Sequence, residues 1–302
     1  MKELLTLLED NQIDVLKQIL SEEQPEDIAE FLTLVPEDSL VDVFRLLPKN
    51  LAIDTFVEME IEARENIRII HCVESGSRAW GFASPDSDYD VRFIYVRPIE
   101  YYLRLDKTRD VIEWQLDDTL DINGWDLQKA LRLLHSSNPT LFEWNNSPIV
   151  YKTTPSWAEI SAVIDHFFQR KAGLYHYLST AKKNYREYLK GDMVKLKKYF
   201  YVLRPVLACR WILEKQTPPP MLFSTLADAC LDEALVPAVS DLLRLKMETP
   251  EIGLGPRIDI INDYLDASIE EVDQLIQAIP GDEKVTWDEL NRLFLQTVGS
   301  GD

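Results

Sequence analysis

GSRAWGFASPDSDYDVRF, residues 76–93, is the most informative stretch of the sequence. Gly76 follows a β-branched, apolar run typical of a buried strand, and a glycine there lets the backbone approach a ligand closely. Ser77 adds a hydroxyl and a backbone N–H, so this corner suits an anion such as a triphosphate. Asp88 and Asp90 are two residues apart on the next predicted strand, which puts both carboxylates on one face. Such a pair can bind divalent metal ions roughly 3.5–4 Å apart, an arrangement that supports displacement at phosphorus.

Other interpretations of this stretch fail on spacing. An EF-hand loop that begins at Asp86 needs glycine at position 91 and glutamate at position 97, where the sequence has valine and arginine. A Walker loop needs lysine followed by serine or threonine at positions 82 and 83, which hold phenylalanine and alanine. A solvated turn explains Asp86 but not Asp90, because a carboxylate within an apolar strand is costly without a partner or a metal.

Hydrophobic patterning on either side of the stretch predicts an α+β fold. Residues 67–74 and 88–96 have the composition of buried strands, and residues 111–122 alternate as one half-exposed strand. Asp126 is placed to be the N-cap of a following helix, and the pattern from residue 155 onward is helical almost throughout. We therefore predict a small mixed sheet with a helical C-terminal region and an N-terminal all-α superhelical module.

Repeated short segments predict the N-terminal module. PEDIAEFLTLV at 25–35, PEDSLVDVFRLL at 36–47 and PKNLAIDTFVEM at 48–59 each open with proline and continue with an apolar stripe. Short helices of this kind cannot bury their apolar faces alone, which favours a superhelix. The segment resembles the N-terminal cytoplasmic domain of the MgtE-type magnesium transporters, without their membrane part. We expect residues 1–62 to be a helical packing or interaction module, with a protein as its partner.

The GS at 76–77 and the DYDV at 88–91 resemble the signature of the DNA polymerase β-type nucleotidyltransferase superfamily. Together with NPTLFEW at 138–144 and KKYFYVLRPVLACRW at 197–211, the motif is similar to the predicted nucleotidyltransferase family associated with RNA repair. The predicted division of the chain is 1–62 for the helical module, 63–150 for the nucleotidyltransferase catalytic core and 151–302 for a helical region that closes over the nucleotide.

The resemblance implies a third carboxylate, from a strand next to the first two. On the predicted strand 111–122 the polar face offers Asp117 and Asp121; the family pattern favours Asp121, and Asp117 stays the alternative. Catalysis and metal binding are then assigned to Asp88, Asp90 and Asp121, with two Mg²⁺ ions, or Mn²⁺ in their place. An acceptor hydroxyl would attack the α-phosphorus of a nucleoside triphosphate, and pyrophosphate would leave.

A basic segment supplies further candidates. Residues 151–215 hold 13 Lys/Arg against 5 Asp/Glu, in a chain whose formal net charge is −20, and this indicates a bound anion such as phosphate. The helical element that covers the nucleotide in the superfamily suggests Lys198 and Arg204 for the triphosphate and Tyr201 for base stacking. The candidate nucleotide-binding residues are Gly76, Ser77, Arg78, Arg92, Lys198, Tyr201 and Arg204.

Composition limits the cellular compartment and the binding partners that we expect for this protein. The sequence has no run of about twenty apolar residues, and its three cysteines lack CxxC spacing. We expect a cytoplasmic protein without membrane insertion, a disulfide framework or a zinc site. The acidic balance disfavours non-specific nucleic-acid binding, so the acceptor stays open among an RNA end, a protein and a small molecule. The alternative function is a non-catalytic protein of the same fold that responds to nucleotide or magnesium.

Overall fold

The computed structural model describes residues 2–10, 12–44, 46–48, 51–52, 55, 66–84, 87–106, 108–117, 120–248, 253–281 and 285–300. The N-terminal helices are α1 (Lys2–Glu9), α2 (Ile13–Leu20), α3 (Pro25–Leu34) and α4 (Glu37–Phe44). Helices α3 and α4 coincide with the first two proline-led repeats, and α3 has Pro25 in its first turn, where no N–H partner is needed. Most of the third repeat, 48–59, lies outside the described residues.

A mixed five-stranded sheet forms the centre of the fold, and with the surrounding helices it confirms the predicted α+β class. Its strands are β1 (Arg68–Glu74), β2 (Tyr89–Val96), β3 (Val111–Asp117), β4 (Leu120–Asp126) and β5 (Val150–Thr153). They lie in the order β3-β4-β2-β1-β5. Strands β2 and β4 are parallel, whereas the other neighbouring pairs are antiparallel.

The prediction of a single strand over residues 111–122 is wrong. Two strands, β3 and β4, pair as an antiparallel hairpin, with Trp114 opposite Ile122 and Asp117 opposite Leu120. Alternation of polar and apolar residues reports which face a residue occupies, and not the direction of the chain. The alternation therefore continued through the reversal without interruption. The helix predicted to follow does begin with Asp126 as N-cap, whose carboxylate accepts a hydrogen bond from the Gln128 N–H at 2.8 Å.

The rest of the described chain is mainly helical. The helices after β1 are α5 (Gly76–Ala79), α6 (Ile99–Tyr102), α7 (Leu127–His135), α8 (Pro139–Asn145), α9 (Pro155–Ser161), α10 (Arg170–Tyr188), α11 (Phe200–Lys215), α12 (Phe223–Cys230), α13 (Val236–Glu248), α14 (Asp259–Ala278) and α15 (Asp288–Gly299). A small second sheet pairs β6 (Met193–Lys195) with β7 (Leu254–Pro256). Within the parts of the chain that the structure describes, no helix has the length and apolar character to cross a bilayer.

Helices cover both faces of the central sheet. On one face, Phe31 of the N-terminal helices belongs to the same buried cluster as Val91 and Phe93 of β2. On the other face, Ile94 of β2 packs with helices α7, α8, α9 and α15. Helices α10 to α14 form the C-terminal bundle. The N-terminal helices and the sheet thus share one core, which extends across the module boundary predicted at residue 62.

Alternation along β2 places apolar side chains on one face of the sheet and charged side chains on the other. Val91 and Phe93 are fully buried towards the N-terminal helices. Asp90 and Arg92 alternate with them along the strand and therefore project from the opposite face. Asp90 and Arg92 are consequently on the sheet face away from the N-terminal helices.

Candidate functional site

The corner between β1 and α5 requires glycine. Gly76 has φ +59°, a left-handed conformation that side chains disfavour. A Cβ atom at Gly76 would stand 1.9 Å from Asp90 Oδ2, which is far inside contact distance. In the same corner the Ser75 N–H donates a hydrogen bond to the Asp90 carbonyl oxygen at 2.8 Å. The missing side chain thus lets the corner close directly onto the Asp90 carboxylate.

Asp90 and Asp121 are neighbours across the parallel pair of strands. The register of β2 and β4 aligns Asp90 with Asp121, so both carboxylates project from the same face. The Arg92 guanidinium donates to Asp90 Oδ1 at 2.9 Å and to Asp121 Oδ2 at 2.7 Å. It also donates to the Asp121 carbonyl oxygen at 2.9 Å. One cationic group therefore holds two carboxylates together at this end of the sheet.

The Asp90 carboxyl is a perturbed acid. Burial raises its pKa above the usual value, and the negative charges of Asp121 and Asp88 raise it further. Arg92 acts in the opposite direction by charge and by hydrogen bonding. Burial also raises the pKa of Tyr201, and the negative charges of Asp90 and Asp88 add to that shift.

The other candidate carboxylates differ in their placement. Asp88 is exposed and comes immediately before β2. Asp117 ends β3, where its backbone pairs with Leu120, and its side chain is outside what the structure describes. Of the two alternatives for a third carboxylate, Asp121 is the one whose side chain is linked to Asp90 through Arg92.

Glu74 belongs to this site, although it is not among the residues predicted from the sequence. Its side chain is fully buried, and Oε1 accepts a hydrogen bond from the Asp90 N–H at 2.7 Å. Oε2 accepts a hydrogen bond from the Tyr151 hydroxyl. Burial raises the Glu74 pKa, and these two hydrogen bonds oppose the shift. A glutamate at the end of an otherwise apolar strand, directly before the glycine corner, was the signal in the sequence.

Arg78 lies at the mouth of the same corner. Its guanidinium stacks over the Tyr89 ring, 3.8 Å from the centroid, and its Nε is 3.9 Å from Glu74 Oε2. Part of this side chain is exposed, so a cation stands beside the loop that joins β1 to β2. The placement is compatible with the contact to an anion expected from the sequence.

Tyr201 and Lys198 form a basic and aromatic cluster, called the wall below, and the charges of Asp90 and Asp88 act on Tyr201. The Lys198 ammonium lies 4.4 Å from the centre of the Tyr201 ring and 4.5 Å from that of Tyr188. Trp80 meets Tyr201 edge-on, with ring centres 5.7 Å apart. Burial lowers the pKa of Lys198, and Lys197 lowers it further. Tyr201 is 36% exposed, so its ring can be reached from solvent.

Arg204 is not brought to the surface of this site. Only 3% of its side chain is exposed, and Nη1 forms an ion pair with Glu143 Oε1 at 2.8 Å. The Tyr177 hydroxyl donates to the same Glu143 oxygen at 2.8 Å, and the guanidinium lies 4.8 Å from the Trp80 ring centre. Arg204 therefore packs beneath Trp80 as a buried structural residue. The direct contact to a triphosphate predicted from the sequence does not fit this placement. Glu143, which lies in the NPTLFEW motif, is its partner.

The oxygen donors of the site suit a hard cation such as Mg²⁺, which binds one or two carboxylates together with substrate phosphates. The Asp90 and Asp121 carboxylates already face a shared cationic group, the Arg92 guanidinium. Among the described residues, no three His, Cys, Asp or Glu side chains converge on one metal position. Because Arg92 contacts one oxygen of each carboxylate, a metal ion at this pair would either share the carboxylates with the guanidinium or displace it.

Comparison with known proteins identifies relatives of the chain. A family model described as RlaP, the RNA repair pathway DNA polymerase beta family, matches residues 54–296. The uncharacterized protein YcgL of Bacillus subtilis (strain 168) is 45% identical over 240 residues, which are 79% of this chain and 92% of that protein. The match begins at residue 54, so the MgtE resemblance of the first sixty residues stays a prediction.

A solved structure, the nucleotidyltransferase-like protein from Exiguobacterium sibiricum 255-15, is 13% identical, with a TM-score of 0.29. The overlap covers 72% of this chain and 73% of that one. The family model spans most of the chain, including the Gly76 corner, the Asp90–Asp121 pair and the helical region up to α15. On that match and the identity with the Bacillus relative, the chain belongs to the RNA repair pathway DNA polymerase beta family.

Proposed function

We propose that the chain is a Mg²⁺-dependent nucleotidyltransferase that transfers a nucleoside monophosphate from a nucleoside triphosphate to an acceptor hydroxyl and releases pyrophosphate. The family indicates a nucleotidyltransferase-type protein. The observation that carries the finer proposal is the register of β2 and β4, which makes Asp90 and Asp121 neighbours beside the Gly76 corner. Asp88, one residue before β2, completes the proposed set of carboxylates.

The carboxylates have distinct tasks in this proposal. Asp90 is the buried, fixed ligand, since the Glu74 side chain holds its N–H and Arg92 holds its Oδ1. Asp121 is more exposed and faces the space where an acceptor would enter. Bound Mg²⁺ would neutralise phosphate charge and lower the pKa of the acceptor hydroxyl. Arg92 keeps the two carboxylates aligned until the substrate arrives, which reduces the reorganisation that binding requires.

The corner and the wall hold the nucleotide. The Gly76 corner lies against the Asp90 carboxylate, and Ser77 beside it offers its hydroxyl and its N–H to the triphosphate. Tyr201 provides an accessible ring on which a base can stack, and Lys198 places a positive charge beside it. The acceptor, whether an RNA end, a protein or a small molecule, would approach from the Asp121 side.

One observation favours the alternative function, a protein that binds nucleotide or magnesium without turnover. Arg92 occupies the position between Asp90 and Asp121 that a cation would take. If Arg92 stays bound to both carboxylates in the nucleotide complex, its positive charge disfavours a metal ion beside them. Such a protein would bind nucleotide at the corner and release no pyrophosphate.

Pyrophosphate release and nucleotide binding separate the two functions. We would measure both for the full chain with each of the four ribonucleoside triphosphates, Mg²⁺ and a panel of RNA, protein and small-molecule acceptors. Asp90→Asn and Asp121→Asn should each lower the release rate by at least roughly a hundredfold, since each removes a charge from the metal site. Asp228→Asn, at an exposed position on α12, is the matched control and should leave the rate unchanged.

Release that persists in Asp90→Asn at the wild-type rate would contradict the catalytic assignment. Tight binding of a triphosphate by the wild type, with no release for any acceptor, would favour the non-catalytic function. Circular dichroism and thermal unfolding of each variant distinguish a lost ligand from a lost fold.

A further inference from the structure

Three segments that the sequence motifs single out meet at one buried side chain, Arg204. Trp80 belongs to the stretch 76–93, Glu143 to NPTLFEW and Arg204 to KKYFYVLRPVLACRW. In the fold they come from the turn directly after α5, from α8 and from α11. Glu143 precedes Arg204 by 61 residues, so helix packing, and not the local sequence, brings the pair together.

Contacts with several elements hold the Arg204 guanidinium in one orientation. Its Nη1 donates to Glu143 Oε1 at 2.8 Å, and the Tyr177 hydroxyl of α10 donates to the same oxygen at 2.8 Å. Its Nη2 donates to the Met221 carbonyl oxygen at 3.4 Å. The Arg204 side chain is 3% exposed, so neighbouring atoms leave it little room to change rotamer. The guanidinium plane is therefore a fixed surface on which a ring can pack.

Trp80 packs on this guanidinium. The guanidinium carbon lies 4.8 Å from the centre of the Trp80 ring, a distance at which the cation attracts the π-electrons. The Trp80 backbone is fixed separately, because its carbonyl oxygen accepts a hydrogen bond from the Phe223 N–H at 2.9 Å. The side-chain rotamer of Trp80 is what remains to be set, and the contact with Arg204 favours the observed one.

The Trp80 ring in turn contacts the Tyr201 ring. The two rings meet edge-on at 79°, with centres 5.7 Å apart, which is a favoured geometry for aromatic pairs. Tyr201 lies three residues before Arg204 on α11, so both side chains are on the same side of that helix. Arg204 is buried, whereas Tyr201 is 36% exposed. A line of contacts therefore runs from the Glu143 carboxylate through Arg204 and Trp80 to a ring that solvent reaches.

We propose that the Arg204–Glu143 ion pair is a positioning device for the base of the nucleotide. The ion pair fixes the Trp80 ring, and Trp80 holds the Tyr201 ring in the orientation in which a base stacks on it. A ring that is already held in its bound orientation loses less conformational entropy when the base arrives, so the affinity for the base increases. Arg204 and Glu143 are positioning residues that do not touch the ligand. The inference rests on the proposed function, which assigns base stacking to Tyr201.

Neutralising both partners of the ion pair tests this device with little damage to the fold. Arg204→Met alone would leave the Glu143 charge without its ion pair, so we would combine it with Glu143→Gln, whose amide oxygen still accepts from Tyr177. The melting temperature of this double variant should stay close to that of the wild type. Its affinities for a nucleoside triphosphate and for the matching monophosphate, measured by calorimetry with Mg²⁺, should fall by the same factor, roughly three- to tenfold. Affinity for inorganic pyrophosphate, which has no base, should not change.

A thermodynamic cycle with Tyr201→Leu separates positioning from general structural support. Tyr201→Leu removes the stacking ring and should itself lower the affinities for both nucleotides. If the ion pair acts only through the Tyr201 ring, the double variant should cause no further loss in the Tyr201→Leu background. A purely structural role of the ion pair would not produce this dependence on Tyr201.

Two further variants complete the test. Trp80→Leu interrupts the same line of contacts without touching the ion pair, so it should reproduce the selective loss even if the double variant does not fold. Arg210→Met is the matched control, because Arg210 is on the same helix, pairs with a carboxylate of α14 at 3.4 Å and lies 5.0 Å from the centre of the Tyr264 ring. It should leave all affinities unchanged.

Unchanged nucleotide affinity in the double variant would overturn the inference, as would an equal loss for pyrophosphate. Additive losses in the Tyr201→Leu background would overturn it as well, and so would a wild type that binds no nucleotide. These readouts are binding constants and do not depend on turnover. A wild type that releases no pyrophosphate with any acceptor, while the cycle shows the dependence on Tyr201, would refute the catalytic proposal and leave the positioning device standing.

Discussion

Asp90 of strand β2 is aligned with Asp121 of the parallel strand β4, although 31 positions separate them in the sequence. The Arg92 guanidinium donates to both carboxylates, at 2.9 and 2.7 Å. Their proximity is set by the register of the two strands, which does not change when a side chain changes its conformation. The pair therefore has a fixed spacing to which a cation, a substrate or Arg92 itself must conform.

Replacing Arg92 by glutamine should make the protein depend on divalent cations for its stability. Without the guanidinium, the partly buried Asp90 and Asp121 carboxylates repel each other, and the exposed Asp88 adds to that repulsion. We expect the free energy of unfolding to fall by about 1–2 kcal/mol in the presence of a chelator, a value reduced by the half-exposed state of Asp121. Millimolar Mg²⁺ should recover most of the loss in urea titrations. A deficit of equal size with and without Mg²⁺ would contradict the idea that Arg92 occupies a cation position.

Gly76→Ala should disrupt both the corner and the nucleotide site. The added Cβ would stand 1.9 Å from Asp90 Oδ2, and the positive φ alone costs roughly 1–2 kcal/mol for a residue with a side chain. Urea unfolding would measure the stability, and calorimetry the nucleotide affinity. Gly253→Ala is the control, because a Cβ there meets nothing within 4 Å. Wild-type nucleotide affinity in Gly76→Ala would show that the corner is not part of the binding site.

Glu74→Gln should loosen the start of β2. An amide offers one acceptor oxygen where the carboxylate supplies two, to the Asp90 N–H and the Tyr151 hydroxyl. A buried donor left unpaired costs about 1–3 kcal/mol, which chemical denaturation would detect. Glu233→Gln, at an exposed position, should change stability by no more than about 0.5 kcal/mol. Equal stability of the two variants would mean that Glu74 does not fix Asp90.

The pH dependence of stability should carry a contribution from His71. Burial lowers the His71 pKa from 6.5 to about 4, against a hydrogen bond to the Trp144 carbonyl that raises it. The ring also stacks on Trp157, with centroids 4.5 Å apart. Between these two pKa values the unfolded chain binds more protons than the folded one, so stability falls as pH decreases.

The His71 contribution amounts to about 3 kcal/mol, lost between pH 6.5 and pH 4. The raised pKa values of Glu74 and Asp90 act in the opposite direction over the same acid range, so the wild-type profile alone is ambiguous. The comparison is therefore with His71→Phe, which keeps a stacking ring without a titrating group. Parallel stability profiles of the two proteins between pH 4 and pH 7 would contradict the prediction.

The N-terminal helices should unfold together with the sheet. Phe31 of α3 is fully buried in the cluster that contains Val91 and Phe93, whereas Leu34 of the same helix is 51% exposed. Phe31→Ala should cost about 3–5 kcal/mol and Leu34→Ala no more than about 0.5 kcal/mol. Fluorescence and far-ultraviolet dichroism should report one shared transition for each protein. A separate early transition in Phe31→Ala would show that the helices fold independently of the sheet.

Some parts of this fold follow directly from local sequence. The strands around residues 68–74 and 89–96, the N-cap at Asp126 and the proline-led helices were predictable, because each depends on residues that are close in the chain. The hairpin of β3 and β4 was not, since alternation does not report a chain reversal. The Gly76 corner could be placed beside a ligand from its motif, but its closeness to Asp90 depends on how β1 and β2 pair.

The sequence by itself determined that a glycine-serine corner precedes a strand bearing acidic residues, and that helices surround a small mixed sheet. Only the tertiary structure decided that Asp121 stands beside Asp90, and that Arg204 turns inward to Glu143 and packs against Trp80. The physical reason is that periodicity and propensity describe a residue's own helix or strand. Contacts between distant residues depend on strand register and helix packing, which are set by the burial of the whole core.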